Sequence, residues 1–363
     1  MNKSTKNPPF RGLGGSSGGS RILALDILRG ITIAGMIMVN NPGSWSKVYA
    51  PLGHAQWNGL TPTDLVFPFF MFIMGISTFI SLRKYNFEAS SSAIRKIVKR
   101  TGLLYLVGLG IAWFSLLLRT WNGLSAENLP FIERLWQSAW NFENIRILGV
   151  IPRLAICYGA AAIIALTIKH KYIPYLIAFL LIGYFILLLI GNGFAYDRTN
   201  ILSKVDYKIL GEAHMYNDNG IEPEGILSTI PAIAHVLVGF MVGKIMYERK
   251  EIHSKIEWLF LIGTILTFAG FLFSYGCPIN KKIWSPTFVL VTCGLGASFL
   301  AVLIWIIDVK GTKKWSLFFE TFGINPLFMY VLGAVLAIIV GNIMVYSGGE
   351  MASLKSYIYS NLL

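Results

Sequence analysis

Residues 53–75 read GHAQWNGLTPTDLVFPFFMFIMG. A histidine (His54), two amides (Gln56 and Asn58) and a carboxylate (Asp64) lead without a break into a long apolar run. Polar side chains at a membrane entrance are costly unless something uses them. The stretch therefore marks both a span and its working end. Thr61-Pro62-Thr63-Asp64 supplies the helix start, with a threonine N-cap, proline at the first helical position and an acid at the third. Pro68 follows inside the run, where it frees a backbone carbonyl and bends the helix.

Working outward, the 363-residue chain is 55% hydrophobic and 13% charged, with mean hydropathy +0.60. A soluble domain carries roughly 25% charged residues, and a span needs about 20 mostly apolar ones. Nine runs qualify: 23–42, 63–82, 101–118, 147–168, 172–191, 226–247, 257–275, 286–307 and 317–340. They predict an all-α, polytopic transmembrane helical bundle occupying residues 21–363. Residues 1–20, rich in Gly, Ser and Lys, are expected to form a disordered cytoplasmic leader. The first run follows that polar leader, carries Asp26 and Arg29 and lacks a small-residue cleavage site, so it does not read as a signal peptide. Residues 353–363 read as an interfacial amphipathic piece.

The formal net charge of +13 is distributed by topology. Lys3, Lys6, Arg11 and Arg21 precede the first run, and Arg83, Lys84, Arg95, Lys96, Lys99 and Arg100 follow the second. Further basic groups follow the fourth, sixth and eighth. Positive charge at every second connection puts the N-terminus in the cytoplasm and gives no reason to invoke nucleic acid. Lipid bilayer is the expected partner, with anionic headgroups near the basic turns. The His54 segment and the loops 119–146, 192–225 and 276–285 then face the other side. Cys157, Cys277 and Cys293 show no metal or redox spacing, and no metal site is expected. No Walker loop, GxGxxG, GxSxG or HExxH occurs.

Single residues allow two readings each. His54, one of five histidines, suits a general base or nucleophile, and a surface loop histidine fits the same letters. Asp64 could orient the His54 ring while also capping its helix. Asn40 could donate to an oxyanion, or simply end the first helix before Asn41-Pro42-Gly43. Arg153, just inside the fourth run, needs a partner or a wet cavity, and substrate-anion binding and ion-pair scaffolding are both open. Asp26 and Arg29, three apart on one helix, suit each other, and Arg29 could also meet a phosphate. His235 reads as a hydrogen bond to a neighbouring helix. Asn325-Pro326 reads as a kink bordering a cavity.

The ordered set LDILRGITIAGMIMVNNPG, HAQWNGLTPTDLVFPFFMFIMG, RILGVIPRLAICYG, PEGILSTIPAIAHVLVGFMVGKI, KKIWSPTFVLVTCG and FGINPLFMY resembles the heparan-α-glucosaminide N-acetyltransferase family in its bacterial branch. The resemblance covers nearly everything from Arg21 onward. It implies an acyltransferase domain in the cell inner (cytoplasmic) membrane, moving an acetyl group from cytosolic acetyl-CoA to a glucosamine-like amine across the bilayer. It implies His54 as the catalytic residue, with Asn40 and Asp64 matching the family's asparagine and aspartate. Trp57 and Asn58 of the same block, with Arg153 and Asn325, are expected at the acceptor. Arg29, Lys84, Arg95, Lys99 and Lys244 are expected to meet the CoA phosphates, and a cavity is expected among the first, second, fourth, sixth and ninth runs.

Three departures stand out. The animal enzymes carry a luminal domain before the first span. The spacing from Asn40 to His54 is longer here. The family continues with a further span past the YSNLL segment, so the resemblance implies a chain cut short there. Two mechanisms fit: attack by His54 on the thioester, or deprotonation of the acceptor amine in a ternary complex. The ternary version is favoured slightly, since nothing obvious shields an acyl-imidazole from water. An amino-sugar permease without chemistry is the alternative function, and a scaffold protein leaves the polar residues unexplained. A homodimer is compatible, although helix interfaces leave no dependable mark in one sequence.

Overall fold

The computed structural model describes residues 22–44, 47–216, 218–347 and 350–362; the leader expected over 1–20 lies outside them. Helix α1 (Leu23–Asn40) leads through a loop and a 3-10 turn, Pro62–Leu65, into α2 (Val66–Leu82). Then follow α3 (Ser91–Gly123), the short α4 (Phe131–Ala139), α5 (Val150–Thr167), α6 (Ile173–Ile190), the short α7 (Ile201–Ile209) and α8 (Thr229–Glu248). Helices α9 (Ile252–Phe273) and α10 (Pro286–Ile304) precede the pair α11 (Leu317–Ile324) and α12 (Pro326–Asn342). A hairpin of β1 (Met344–Ser347) and β2 (Glu350–Ser353) and a last helix, α13 (Leu354–Leu362), complete the described residues.

Eight helices among the described residues are long and apolar enough to cross a membrane, and a ninth span results if the bent pair around Asn325 counts as one. The bend there is 79°. Proline at 326 lacks a backbone N–H and disfavours helical geometry at the residue before it, and Asn325 is accordingly non-helical at φ −126°, ψ 62°. The chain is an all-α polytopic bundle, as its nine apolar runs predict.

Helices α1, α2, α5, α8 and α10 form the inner set, each with more than half of its apolar window buried, whereas α3, α6 and α9 ring them with under a quarter buried. In a bilayer, helix association depends on close packing more than on the hydrophobic effect. The α2–α8 contact shows how close: a Cβ added at Gly75 would lie 2.1 Å from the Val236 carbonyl oxygen, and one at Gly239 would lie 2.2 Å from that of Phe72. The backbones touch because neither position has a side chain. His235, fully buried on α8, donates from Nε2 to the Pro68 carbonyl of α2 at 2.9 Å.

Two segments differ from the sequence reading. The connection 119–146 contains α4, which packs on the C-terminal end of α3. Trp113 donates to the Ala139 carbonyl (2.9 Å), Asn141 to the Thr120 hydroxyl (3.1 Å) and Arg134 Nε to the Trp121 carbonyl (2.9 Å). Its other face exposes Ile132, Leu135 and Trp136, followed by exposed Trp140. The third run also starts a full helical overhang earlier than 101, at Ser91, whose N-cap Ser90 accepts from the Ala93 N–H.

Candidate active site

The site is built on the helix start read at Thr61. Thr61 and Asp64 form a capping box, with the Thr61 backbone N–H donating to Asp64 Oδ2 at 3.2 Å. Oδ2 also accepts from the Thr61 hydroxyl (2.9 Å) and the Ala55 backbone N–H (3.0 Å). Asp64 is 1% exposed, so this cap seats a buried carboxylate rather than a solvated one. Its Oδ1 faces His54 Nδ1 at 2.7 Å. An ionised carboxylate only accepts, so Nδ1 carries the proton and Nε2 keeps its lone pair. The ring itself is half-exposed.

A second segment completes the pair. Lys281, in the loop between α9 and α10, places Nζ 3.3 Å from Asp64 Oδ1 and 3.1 Å from His54 Nδ1. Burial pushes its pKa down, and the charges of Asp64 and Glu224 recover only part of the shift. The same loop is held against the His54 segment by Gly59 N–H donating to the Ile279 carbonyl at 2.8 Å.

Facing this group, Arg146 pairs with Glu222 and, at 2.6 Å, with Glu224. Burial works against the Glu224 carboxylate, but the charges of Arg146, Arg153 and Lys281 together outweigh it and hold its pKa below the usual range. Lys282 donates to the Tyr196 hydroxyl (2.8 Å) and pairs with Asp218 (2.8 Å). His54, Asp64, Arg146, Asp218, Glu224, Lys281 and Lys282 line a cavity of about 480 Å³. Its walls are Met36, Val39 and Asn40 of α1, the 54–56 segment, Thr63, Asp64, Val66 and Phe67, Arg146, Val150, Tyr216, Asp218, Pro223, Glu224 and Lys281-Lys282. Carboxylates, amines and a histidine base converge there on one space, a donor and acceptor set suited to a polyhydroxylated amine.

Towards the opposite end of the bundle lies a second cavity of about 540 Å³, mostly apolar. It shares Met36 with the first and is edged by Arg29, Lys96, Lys99 and Arg100. From Arg29 to Asn40 the path along α1 is about 16 Å at 1.5 Å per residue. Four of the five expected runs line it, the first, second, fourth and ninth, the last through Pro326, Leu327 and Tyr330 of α12; the departure is that α3 lines it through Lys96 to Leu104 and α8 does not.

The sequence-selected residues fall in three groups. His54, Asp64 and Asn40 line one cavity. Asn40 is exposed and makes no side-chain hydrogen bond among the described residues, because Asn41 supplies the capping amide, to the Ile37 carbonyl at 2.7 Å. Arg29 and Lys99 line the other cavity. Arg29 donates to Asp26 at 2.7 Å and to Ser77 at 2.9 Å. The rest lie outside both linings. Trp57 donates to the Phe194 carbonyl and stacks on Tyr196 at 4.5 Å. Asn58 accepts from Asn280. Arg153 is fully buried, bonded to Ser228 and the Gly225 carbonyl. Asn325 is the hinge residue before α12, Lys84 and Arg95 sit outside the basic cavity edge, and Lys244 pairs with Glu248 at 3.7 Å.

A family model described as heparan-alpha-glucosaminide N-acetyltransferase, catalytic, matches residues 21–275. The chain belongs to this family. It is 28% identical over 372 residues to the heparan-alpha-glucosaminide N-acetyltransferase of Homo sapiens, covering 86% of this chain and 52% of that protein. It is 27% identical over 384 residues to the Mus musculus enzyme, covering 87% and 53%. The chain thus spans about half the length of the curated relatives it matches. The family match includes Asn40, His54, Asp64, Arg146 and Glu224 and stops six residues before Lys281. Lys281, Arg146, Lys96 and Arg100 were not selected from sequence. Only the KK pair before IWSP hinted at Lys281, and its place beside a histidine 227 positions away is a product of tertiary contact.

Proposed function

We propose that the chain is a membrane acyltransferase that moves an acetyl group from acetyl-CoA to the amine of an amino sugar. Family membership supports acyl transfer. The observation that carries the residue assignment is the 2.7 Å contact between Asp64 Oδ1 and His54 Nδ1 at a polar cavity.

Asp64 fixes the ring so that Nε2 is the base. The acceptor amine attacks the thioester carbonyl carbon. A C–N bond forms, the C–S bond breaks, and CoA leaves as the thiol. His54 takes one amine proton at Nε2 and returns it to the departing sulfur, so the reaction is balanced without another reagent. Asn40, with an uncommitted amide on the same lining, donates to the tetrahedral oxyanion. Glu224 and Asp218 receive the sugar's hydroxyls or ammonium. The apolar cavity accepts the pantetheine arm, and Arg29, Lys96, Lys99 and Arg100 meet the CoA phosphates. The His54 end lies on the extracytoplasmic side, following the basic-residue pattern.

The test is transfer of label from radiolabelled acetyl-CoA to glucosamine by purified, reconstituted protein. His54→Ala is expected to lose at least a hundredfold in turnover, within the usual range for a lost general base, and Asp64→Asn a comparable factor with His54 still present. Equal label transfer by wild type and His54→Ala sinks the assignment. Saturable sugar uptake with no CoA release in either protein favours the permease.

A further inference from the structure

A third cavity, of about 630 Å³, opens beside the His54 cavity; most of its lining belongs to neither site described above, although it shares Ile151 and Tyr330 with the second cavity. One stripe of α3 forms its floor: Gly108, Ile111, Ala112, Ser115, Leu116 and Arg119, spaced at helical three-and-four intervals. The start of α5 and Tyr330 and Ile338 of α12 form the walls. It shares Arg146, Val150 and Tyr216 with the His54 cavity, so the two spaces meet.

The polarity of this cavity is graded. Arg119, near the C-terminal end of α3, and Asn144 stand apart from the apolar lining of Gly108, Ile111, Leu116, Val150, Ile151 and Pro152, with Ser115 between them on the α3 stripe and Arg146 against Gly149 where this cavity meets the His54 cavity. Arg146 is neutralised by Glu222 and Glu224. Arg119 is exposed and has no acidic partner among the described residues, which leaves a positive mouth. The level of that mouth in the membrane is set independently by α4. This helix is anchored on α3 at Trp113, Thr120 and Trp121 and turns Ile132, Trp136 and Trp140 outward. Exposed tryptophans on a short amphipathic helix settle at the headgroup boundary. Arg119 therefore sits at headgroup depth. From Arg119 to Gly108 the stripe descends about 16 Å at 1.5 Å per residue, half of a hydrocarbon core about 30 Å thick. That length matches the depth of one leaflet, with the Arg119 cation at one end of the stripe.

We infer that this cavity admits a lipid-linked acceptor from the outer leaflet: an amino sugar joined through a phosphate to a hydrocarbon anchor, with the phosphate on Arg119, the anchor along the α3 stripe and the amine delivered past Arg146 and Tyr216 to His54. The inference rests on the proposed acetyl transfer and names its acceptor class.

Reconstituted protein is given acetyl-CoA and either free glucosamine or glucosaminyl-phosphatidylinositol in phosphatidylcholine vesicles. The lipid-linked amine is expected to be the better acceptor by at least tenfold in kcat/KM at matched concentration. Ala112→Phe, which fills the stripe, and Arg119→Gln, which removes the cation without adding bulk, should each cut transfer to the lipid by about tenfold and leave transfer to free glucosamine unchanged. Acetylation of free glucosamine alone, or equal losses on both acceptors in both variants, overturns the lipid acceptor and leaves the acetyltransferase reading standing. Failure on both acceptors by folded wild type removes both.

Discussion

Lys281 holds its ammonium 3.1 Å from the Nδ1 of His54. Nδ1 already gives its proton to Asp64, so the lysine's donors are directed to the same carboxylate, at 3.3 Å. One buried oxygen thus receives both groups, and the lysine locks the carboxylate that orients the ring.

Losing that lock should misplace the base without removing it. A hydrogen bond to a charged group contributes about 1.5–3 kcal/mol, equivalent to roughly 10- to 150-fold in rate. Lys281→Met is expected to lower kcat within that range with little change in the acceptor KM, and Lys281→Arg to recover part of it. Steady-state kinetics on the two variants decide the point, and an unchanged kcat in Lys281→Met would remove Lys281 from the site.

The touching backbones of α2 and α8 make a stability prediction. Overpacking a close contact costs about 1–3 kcal/mol, and a Cβ at Gly75 meets main-chain oxygen rather than a flexible side chain. Gly75→Ala should lower the melting temperature in detergent by several degrees, whereas Gly102→Ala, where nothing lies within 4 Å, should not lower it. Equal melting of the two variants would mean that the helices are not in contact there.

Asp206 gives a pH signature. This carboxyl on α7 is fully buried. Burial raises its pKa to about 6, more than the Ile226 N–H it accepts and Arg153 can offset. With the folded value above the unfolded one, its contribution to stability is present below the unfolded pKa and is lost as pH rises through about 6. Two units correspond to about 3 kcal/mol. Asp206→Asn is therefore expected to melt higher than wild type at pH 8, with the difference shrinking towards pH 4. A difference independent of pH would assign the effect to something other than ionisation.

Much of this molecule was legible in its letters because membranes impose long, unbroken apolar runs. The pairing of His54 with Asp64 was readable because both sit in one local segment governed by a helix cap. What stayed hidden is tertiary. Lys281 lies in a connection too short to show a pattern, and Arg146 reads as one more positive charge until Glu222 and Glu224 fold back on it. Trp57 and Asn58 had the composition of ligand contacts; in the fold Trp57 Nε1 and Asn58 Oδ1 bond the loop to Phe194 and Asn280, contacts no local pattern announces. Helix α4 was missed because nine residues are too few to stand out as a helix inside a polar connection. The hairpin at Met344–Ser353 likewise lacks any alternation strong enough to predict it.

The fused contact of Gly75 with Gly239 divides the reaction chamber into parts of unequal freedom. Asp64 lies in the turn leading into α2 and Glu224 stands just ahead of α8, so these two carboxylates of the His54 cavity are cast in one piece. They form a fixed jaw. Any movement has to come from an element outside this piece: α12, which lines the second cavity, where no residue is fully buried and a 79° joint stands at its base. A lever swung about Asn325 would then reshape the second cavity while leaving His54 and Asp64 still.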